Sequence, residues 1–157
     1  MSSSIVPPVA NALREITVAH SPDSDDAFMF YALATHKIRT PGLRFTHTLC
    51  DIETLNRAAM EGEGQYDVSA ISFHAYPYVQ EKYALMSCGG SVGEGYGPMI
   101  VSQRALTLEE VKETKIAVPG KLTTAYLALK LFAPTIETEV VPFDQIEDAV
   151  YVAGPQG

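Results

Sequence analysis

Residues 15–36 read EITVAHSPDSDDAFMFYALATH. The first five residues alternate in the manner of a strand, and residues 25–36 are apolar on nearly every face, as in a buried helix. Between them lies SPDSDD, with Asp23, Asp25 and Asp26 crowded at the helix start. A strand that turns directly into a helix is the first half of a β-α-β unit, and a parallel sheet follows if the pattern repeats. In such a sheet, ligands sit beyond the carboxyl ends of strands, where SPDSDD falls. The aspartates suit a helix cap and complement the helix dipole. Ligand hydrogen bonding and a metal site are the other readings. A hard cation wants about six oxygens, and this cluster with His20 does not match a known loop order.

The pattern does repeat. LRFTHTL (43–49) reads as a strand, followed by a helix capped by Asp51 with Ile52, Leu55 and Ala59 at helical spacing. DVSAI (67–71) reads as a strand, and SFHAYPYV as a short helix stopped near Pro77. ALMSC (84–88) and PMIVS (98–102) are strand candidates flanking a glycine-rich segment. Thr107 and Glu110 form a capping box. KIAV (115–118) is a strand, LTTAYLALKLF a buried helix and TEVVPF a strand, and Asp144 with Glu147 signals a last helix. The class is α/β with mostly parallel strands. Residues 1–14 read as a leader, 15–104 as a first lobe and 105–157 as part of a second. A β-α-β unit wants a strand after the last helix. The chain instead runs into GPQG, so an incomplete second lobe is expected.

The chain has 157 residues, 46% hydrophobic and 19% charged, with net charge -8. That charge argues against a nucleic-acid or anionic-membrane surface, but not against one small anionic ligand. Cys50 and Cys88 lack CxxC spacing and read as buried free thiols in a reducing compartment. The N-terminus has no signal-peptide pattern and no run is long enough to span a membrane, so the cytoplasm is expected.

Chemistry-bearing residues collect at strand-to-helix turns. PGKLTTAYL (119–127) places Thr123 and Thr124 at a helix start, where open N–H groups and hydroxyls suit a carboxylate or phosphate, or simply a cap. It lacks the P-loop spacing. Ser72 begins a helix after a strand but lacks a nucleophile elbow, and His74 reads as structural. GGSVGEGYGP has five glycines within 89–97, yet it leads into a strand candidate and not the helix a dinucleotide fingerprint requires. It reads as a rim near a ligand, with Tyr96 packing on it. Together these turns suit a small polar or anionic organic ligand between two lobes.

SPDSDDAFMFYAL, DIETLN, YDVSAISFHAY, GEGYGPMIV and AVPGKLTTAYLALKL, in this order, closely resemble the 1,4-dihydroxy-6-naphthoate synthase family of the futalosine route to menaquinone. The resemblance runs from about residue 15 to residue 150. It implies a periplasmic-binding-protein-like (type 2) fold of two α/β lobes with the ligand in the cleft, in a cytoplasmic lyase acting on a carboxylated, polyhydroxy small molecule without metal or organic cofactor. The family's substrate-contacting tripeptide falls on Ala70, Ile71 and Ser72, with Ala70 where relatives often carry lysine. Its threonine–alanine contact falls on Thr124 and Ala125. Asp25 and Asp26 stand at the Asn and Asp of the family's first-turn motif and are expected to orient hydroxyls. The family's proton-accepting histidine lies in an Ile-His-Glu segment beyond the last helix, so none of His20, His36, His47 and His74 inherits that role. Little activity is therefore expected of this chain by itself, and the family is nearly twice as long. The alternatives are chorismate dehydratase of the same pathway, which GEGYGPMIV and the Thr-Thr-Ala helix start disfavour, a non-catalytic solute-binding-like protein, and a gene fragment with no function.

Overall fold

A computed structural model describes residues 13–62 and 64–152. Strand β1 (Arg14–His20) lies at the centre of a parallel sheet, between β2 (Leu43–Leu49) and β3 (Val68–Ser69). Helix α1 (Ser24–Ala34) connects β1 to β2, and α2 (Ile52–Glu61) connects β2 to β3. The order β2-β1-β3 makes the chain step to one side of β1 and then to the other. A crevice therefore opens between the β1 and β3 ends, the switch point where α/β sheets take ligands. A second parallel pair joins β4 (Ile116–Val118) to β5 (Thr138–Val140) through α4 (Thr124–Phe132), with α3 (Leu108–Glu113) before it and α5 (Ile146–Val152) after it.

The α/β class and parallel pairing agree with the sequence. Around the three-stranded sheet Val18, Ala19, Leu55, Ala59, Ala75 and Val79 are buried, and each large apolar side chain so buried contributes about 1.5–3 kcal/mol. The second cluster is Val111, Ala133 and Ile136, with Leu106, Ile116 and Leu129 against it. Of the expected leader, residues 1–12 lie outside the described residues, and Arg14 already belongs to β1.

Several expectations are corrected. Residues 84–88 and 98–102 form no strand, because no described segment pairs with them; Leu85, Met86, Met99 and Val101 are exposed. Helices α1 and α4 bury no residue fully, and Phe28 is 87% and Leu131 76% exposed. Their apolar composition has no covering layer among the described residues. Cys88 is exposed and Cys50 half-buried, so neither is a core thiol. The segment after Ser72 is a turn leading to a 3₁₀ turn at Tyr76–Tyr78, and a second 3₁₀ turn at Phe143–Gln145 precedes α5, so Asp144 lies inside that turn and not at a cap. Among the described residues no helix is long and apolar enough to cross a membrane.

Candidate functional site

The β1–α1 turn is built by its own polar groups. Asp23 occupies the cap position, but its side chain makes no cap hydrogen bond. Asp26, three residues on, reaches back so that its Oδ2 accepts from the Ser21 N–H at 2.7 Å. The Asp23 N–H donates to Ser21 Oγ at 3.0 Å. Asp25 accepts from the Ser91 hydroxyl, which ties the glycine-rich segment to the helix start. That bond, opposed in part by desolvation, holds the Asp25 carboxyl below its ordinary value. Two aspartates thus serve the turn and dipole as the cap reading expects, through Asp26 and Asp25 instead of Asp23. Among the described residues no three His, Cys, Asp or Glu side chains cluster as a metal site.

Behind the turn lies a histidine pair. His20 is 5% exposed and stacks on Phe30 at 4.3 Å between centroids. Its Nδ1 lies 2.9 Å from the Ser21 carbonyl, which only accepts, so Nδ1 carries the proton. His20 Nε2 must then accept from His47 Nδ1, 3.1 Å away. This leaves His47 Nε2 as a buried lone pair without a partner. Burial first, then the neighbouring His20, pushes the His47 pKa below 6.5.

The β3 end is adjacent. The Ala70 N–H donates to the Ala19 carbonyl at 2.8 Å, which continues the strand pairing and sets Ala70 and Ile71 beside His20 and Ser21. Ser72 follows, half-buried, and its carbonyl accepts from Ala75 and Tyr76. At the β4 end, Thr123 caps α4: its hydroxyl accepts from the Tyr126 N–H at 3.2 Å and donates to the Gly120 carbonyl at 3.0 Å. Thr124 and Ala125 are the first two helical residues, whose N–H groups have no partner within the helix.

Helix α2 brings the β3 and β4 turns together. Asn56, fully buried, bonds Ser72 and the Leu122 carbonyl. Glu53 Oε2 accepts from the Leu122 N–H at 3.0 Å, while its Oε1 lies 2.9 Å from the Arg57 guanidinium without hydrogen-bond alignment. Gly120 leaves room for the Glu53 side chain, which a Cβ at this position would overlap and force to move. His74 donates from Nδ1 to the Thr123 carbonyl at 3.2 Å and stacks on Tyr126, the structural role expected of it. Ser72 and the Thr123–Ala125 start are thus tied through α2 and His74. A shallow cleft beside the first turn is lined by Ser21, Pro22, Asp23, Asp51, Ile52 and Phe143. Tyr96 folds onto Gly93 of its own loop and is 79% exposed. Glu53 and Asn56 escaped the sequence reading. Their spacing of three residues, flanking the Ile52–Leu55–Ala59 stripe, was the available signal.

A family model described as menaquinone biosynthesis matches residues 16–156. The chain belongs to the menaquinone biosynthesis family. It is 34% identical to the 1,4-dihydroxy-6-naphthoate synthase of Thermus thermophilus over 85% of this chain and 47% of that one. It is 35% identical to the enzyme of the same name from Streptomyces coelicolor over 86% of this chain and 48% of the other. A crystal structure of an Archaeoglobus fulgidus protein superposes with TM-score 0.80 at 48% identity, covering 87% of this chain and 49% of that one. This menaquinone biosynthesis family member therefore spans about half the length of the relatives it matches.

Proposed function

We propose that this chain carries the substrate-binding part of a lyase that converts cyclic dehypoxanthine futalosine to 1,4-dihydroxy-6-naphthoate in menaquinone biosynthesis. The observation that carries the reading is the joining of the Ser72 turn to the Thr123–Ala125 helix start by Asn56 and His74, in a chain similar to two synthases of that name. The two parallel sheets are read as parts of the two lobes of a periplasmic-binding-protein-like (type 2) fold, residues 15–104 and 105–157, with the ligand between them in the cytoplasm.

Ala70, Ile71 and Ser72 on one side, with Thr124 and Ala125 on the other, offer a hydroxyl pair and helix-start N–H groups to oxygens of the substrate. Asp26 has one oxygen committed to the Ser21 N–H and Asp25 has one committed to the Ser91 hydroxyl, and each orients substrate hydroxyls with the other. The reaction begins with proton abstraction by a base and proceeds by carbon–carbon cleavage, releasing a dihydroxyacetone-type fragment, with no metal or organic cofactor. The described histidines are poor candidates for that base. His20 has both ring nitrogens bonded, the free nitrogen of His47 is buried, and His74 braces the α4 start.

Calorimetric titration of 1,4-dihydroxy-6-naphthoate into the chain tests the reading. Saturable binding that weakens in Ser72→Ala and Thr124→Val is expected. Equal affinity in both variants, or no binding to the unmodified chain, overturns it.

A further inference from the structure

Asn56 belongs to no strand-end turn, yet it touches two of them. Its Oδ1 accepts from the Ser72 N–H at 2.9 Å, and its Nδ2 donates to Ser72 Oγ at 3.0 Å and to the Leu122 carbonyl at 3.3 Å. The amide orientation is fixed by chemistry. A backbone N–H can only donate and a carbonyl can only accept, so reversing the amide would break both outer bonds. The Ser72 hydroxyl is therefore an acceptor toward Asn56, and its own proton points elsewhere. The Ser72 N–H is already consumed, so the hydroxyl proton is what Ser72 can offer a ligand.

The same helix holds Leu122 at both ends of its backbone. Glu53 takes the N–H and Asn56 takes the carbonyl. Leu122 immediately precedes the Thr123 cap, so α2 sets where the open N–H groups of Thr124 and Ala125 begin. A side chain with no exposure and this many directed bonds sets polarity as well as packing.

We infer that Asn56 is a positioning residue that fixes Ser72 as a hydrogen-bond donor toward an anionic ligand oxygen and sets the Ser72 turn against the α4 start. The ligand class is a small carboxylate. Ser72 and the α4 start then present donors, which a carboxylate matches and a cation does not. The inference rests on the functional reading above.

Asn56→Asp reverses the polarity at nearly constant shape. The introduced carboxylate still accepts from the Ser72 N–H, but it draws the Ser72 hydroxyl proton inward. Burial raises the pKa of that carboxyl, so protonation at lower pH restores a donor. Glu53 and Arg57 on α2, and His74 on the Thr123 carbonyl, are the ionisable groups near this contact and are present in both proteins. The measured quantity is therefore the ratio of variant to unmodified affinity for 1,4-dihydroxy-6-naphthoate, by calorimetry between about pH 5.5 and 8, bracketing a raised carboxyl.

A loss of about tenfold or more at the upper end is expected, the value of one hydrogen bond to a charged group. The ratio should recover as pH falls, and adding Ser72→Ala should cost nothing further. A pH-independent loss additive with Ser72→Ala, or no loss, overturns the inference. If the variant fails to fold, the Asn56 side-chain NH₂ resonance of the unmodified chain must shift on adding the naphthoate and stay fixed in Ser72→Ala. An unmoved resonance overturns the inference. Failure of the unmodified chain to bind naphthoate overturns the functional reading. The positioning claim is then decided by amide exchange, where a Ser72 N–H exchanging as fast in the unmodified chain as in Asn56→Ala overturns it.

Discussion

His36 is the sole non-glycine residue with positive φ among those described, at 55°. It follows α1, where its N–H bonds the Leu33 carbonyl and the next N–H bonds Ala32, the pairing that glycine usually serves at a helix end. An L side chain in this conformation costs about 1–2 kcal/mol. His36→Gly should raise stability by about 1 kcal/mol in urea unfolding, with no change in slope. Gly120 is the opposite case, because its missing Cβ admits the Glu53 carboxylate. Gly120→Ala should destabilise by about 1–3 kcal/mol. In a Glu53→Ala background that cost should shrink, and a double-mutant cycle with purely additive costs would contradict the packing argument. Neither role could be read from the sequence. His36 ends an apolar helical pattern with nothing to mark its positive φ, and the side chain that needs the space at Gly120 lies on another element.

Among the elements, α3 shows the fullest agreement between sequence and structure. Thr107 and Glu110 make both halves of the capping box, and Arg104 pairs with Glu110 at 2.9 Å. The Thr107 N–H first, then Arg104, lowers the Glu110 pKa from 4.5 to about 2. A depressed carboxyl stabilises the fold above its unfolded pKa and loses that effect as pH falls. The contribution is complete above 4.5 and disappears through about 2, as acid unfolding of Glu110→Gln against the unmodified chain should show. Thr107→Ala should cost about 1 kcal/mol. The His20–His47 pair between β1 and β2 has the other sign in mechanism and the same sense in pH. His47 is held below 6.5, so the unfolded chain takes up protons first as pH drops. Stability is therefore full above 6.5 and declines below it, as urea unfolding of the unmodified chain and His47→Gln at pH 7.5 and 5.5 would measure. Capping is legible because it is local. The histidine pair is not, since residues 20 and 47 meet only through strand register.

At the scale of the molecule, the alternation of strand and helix was enough to read the α/β class and the parallel pairing of the strands. Two kinds of error share one cause. Residues 84–88 and 98–102 have strand composition without a partner strand, and α1 and α4 have buried composition without a cover. Composition reports what a segment can bury, whereas pairing requires a second surface. The apolar side chains left open include Phe28, Met99 and Leu131. The chain by itself should therefore bind anilinonaphthalene sulfonate and sediment as larger species as concentration rises. A monomer at all concentrations with no dye binding would contradict this. The placement of β1 also has a consequence for synthesis. This strand leaves the ribosome before either of its neighbours, with both edges bare, and β2 can cover only one of them. The other edge waits for Val68 and Ser69, with Asp67 closing on Thr17 across 50 positions of chain. At roughly 5–20 residues per second, the nascent strand keeps one adhesive edge open for several seconds. Those seconds are when a chaperone, or a neighbouring nascent chain, would meet it.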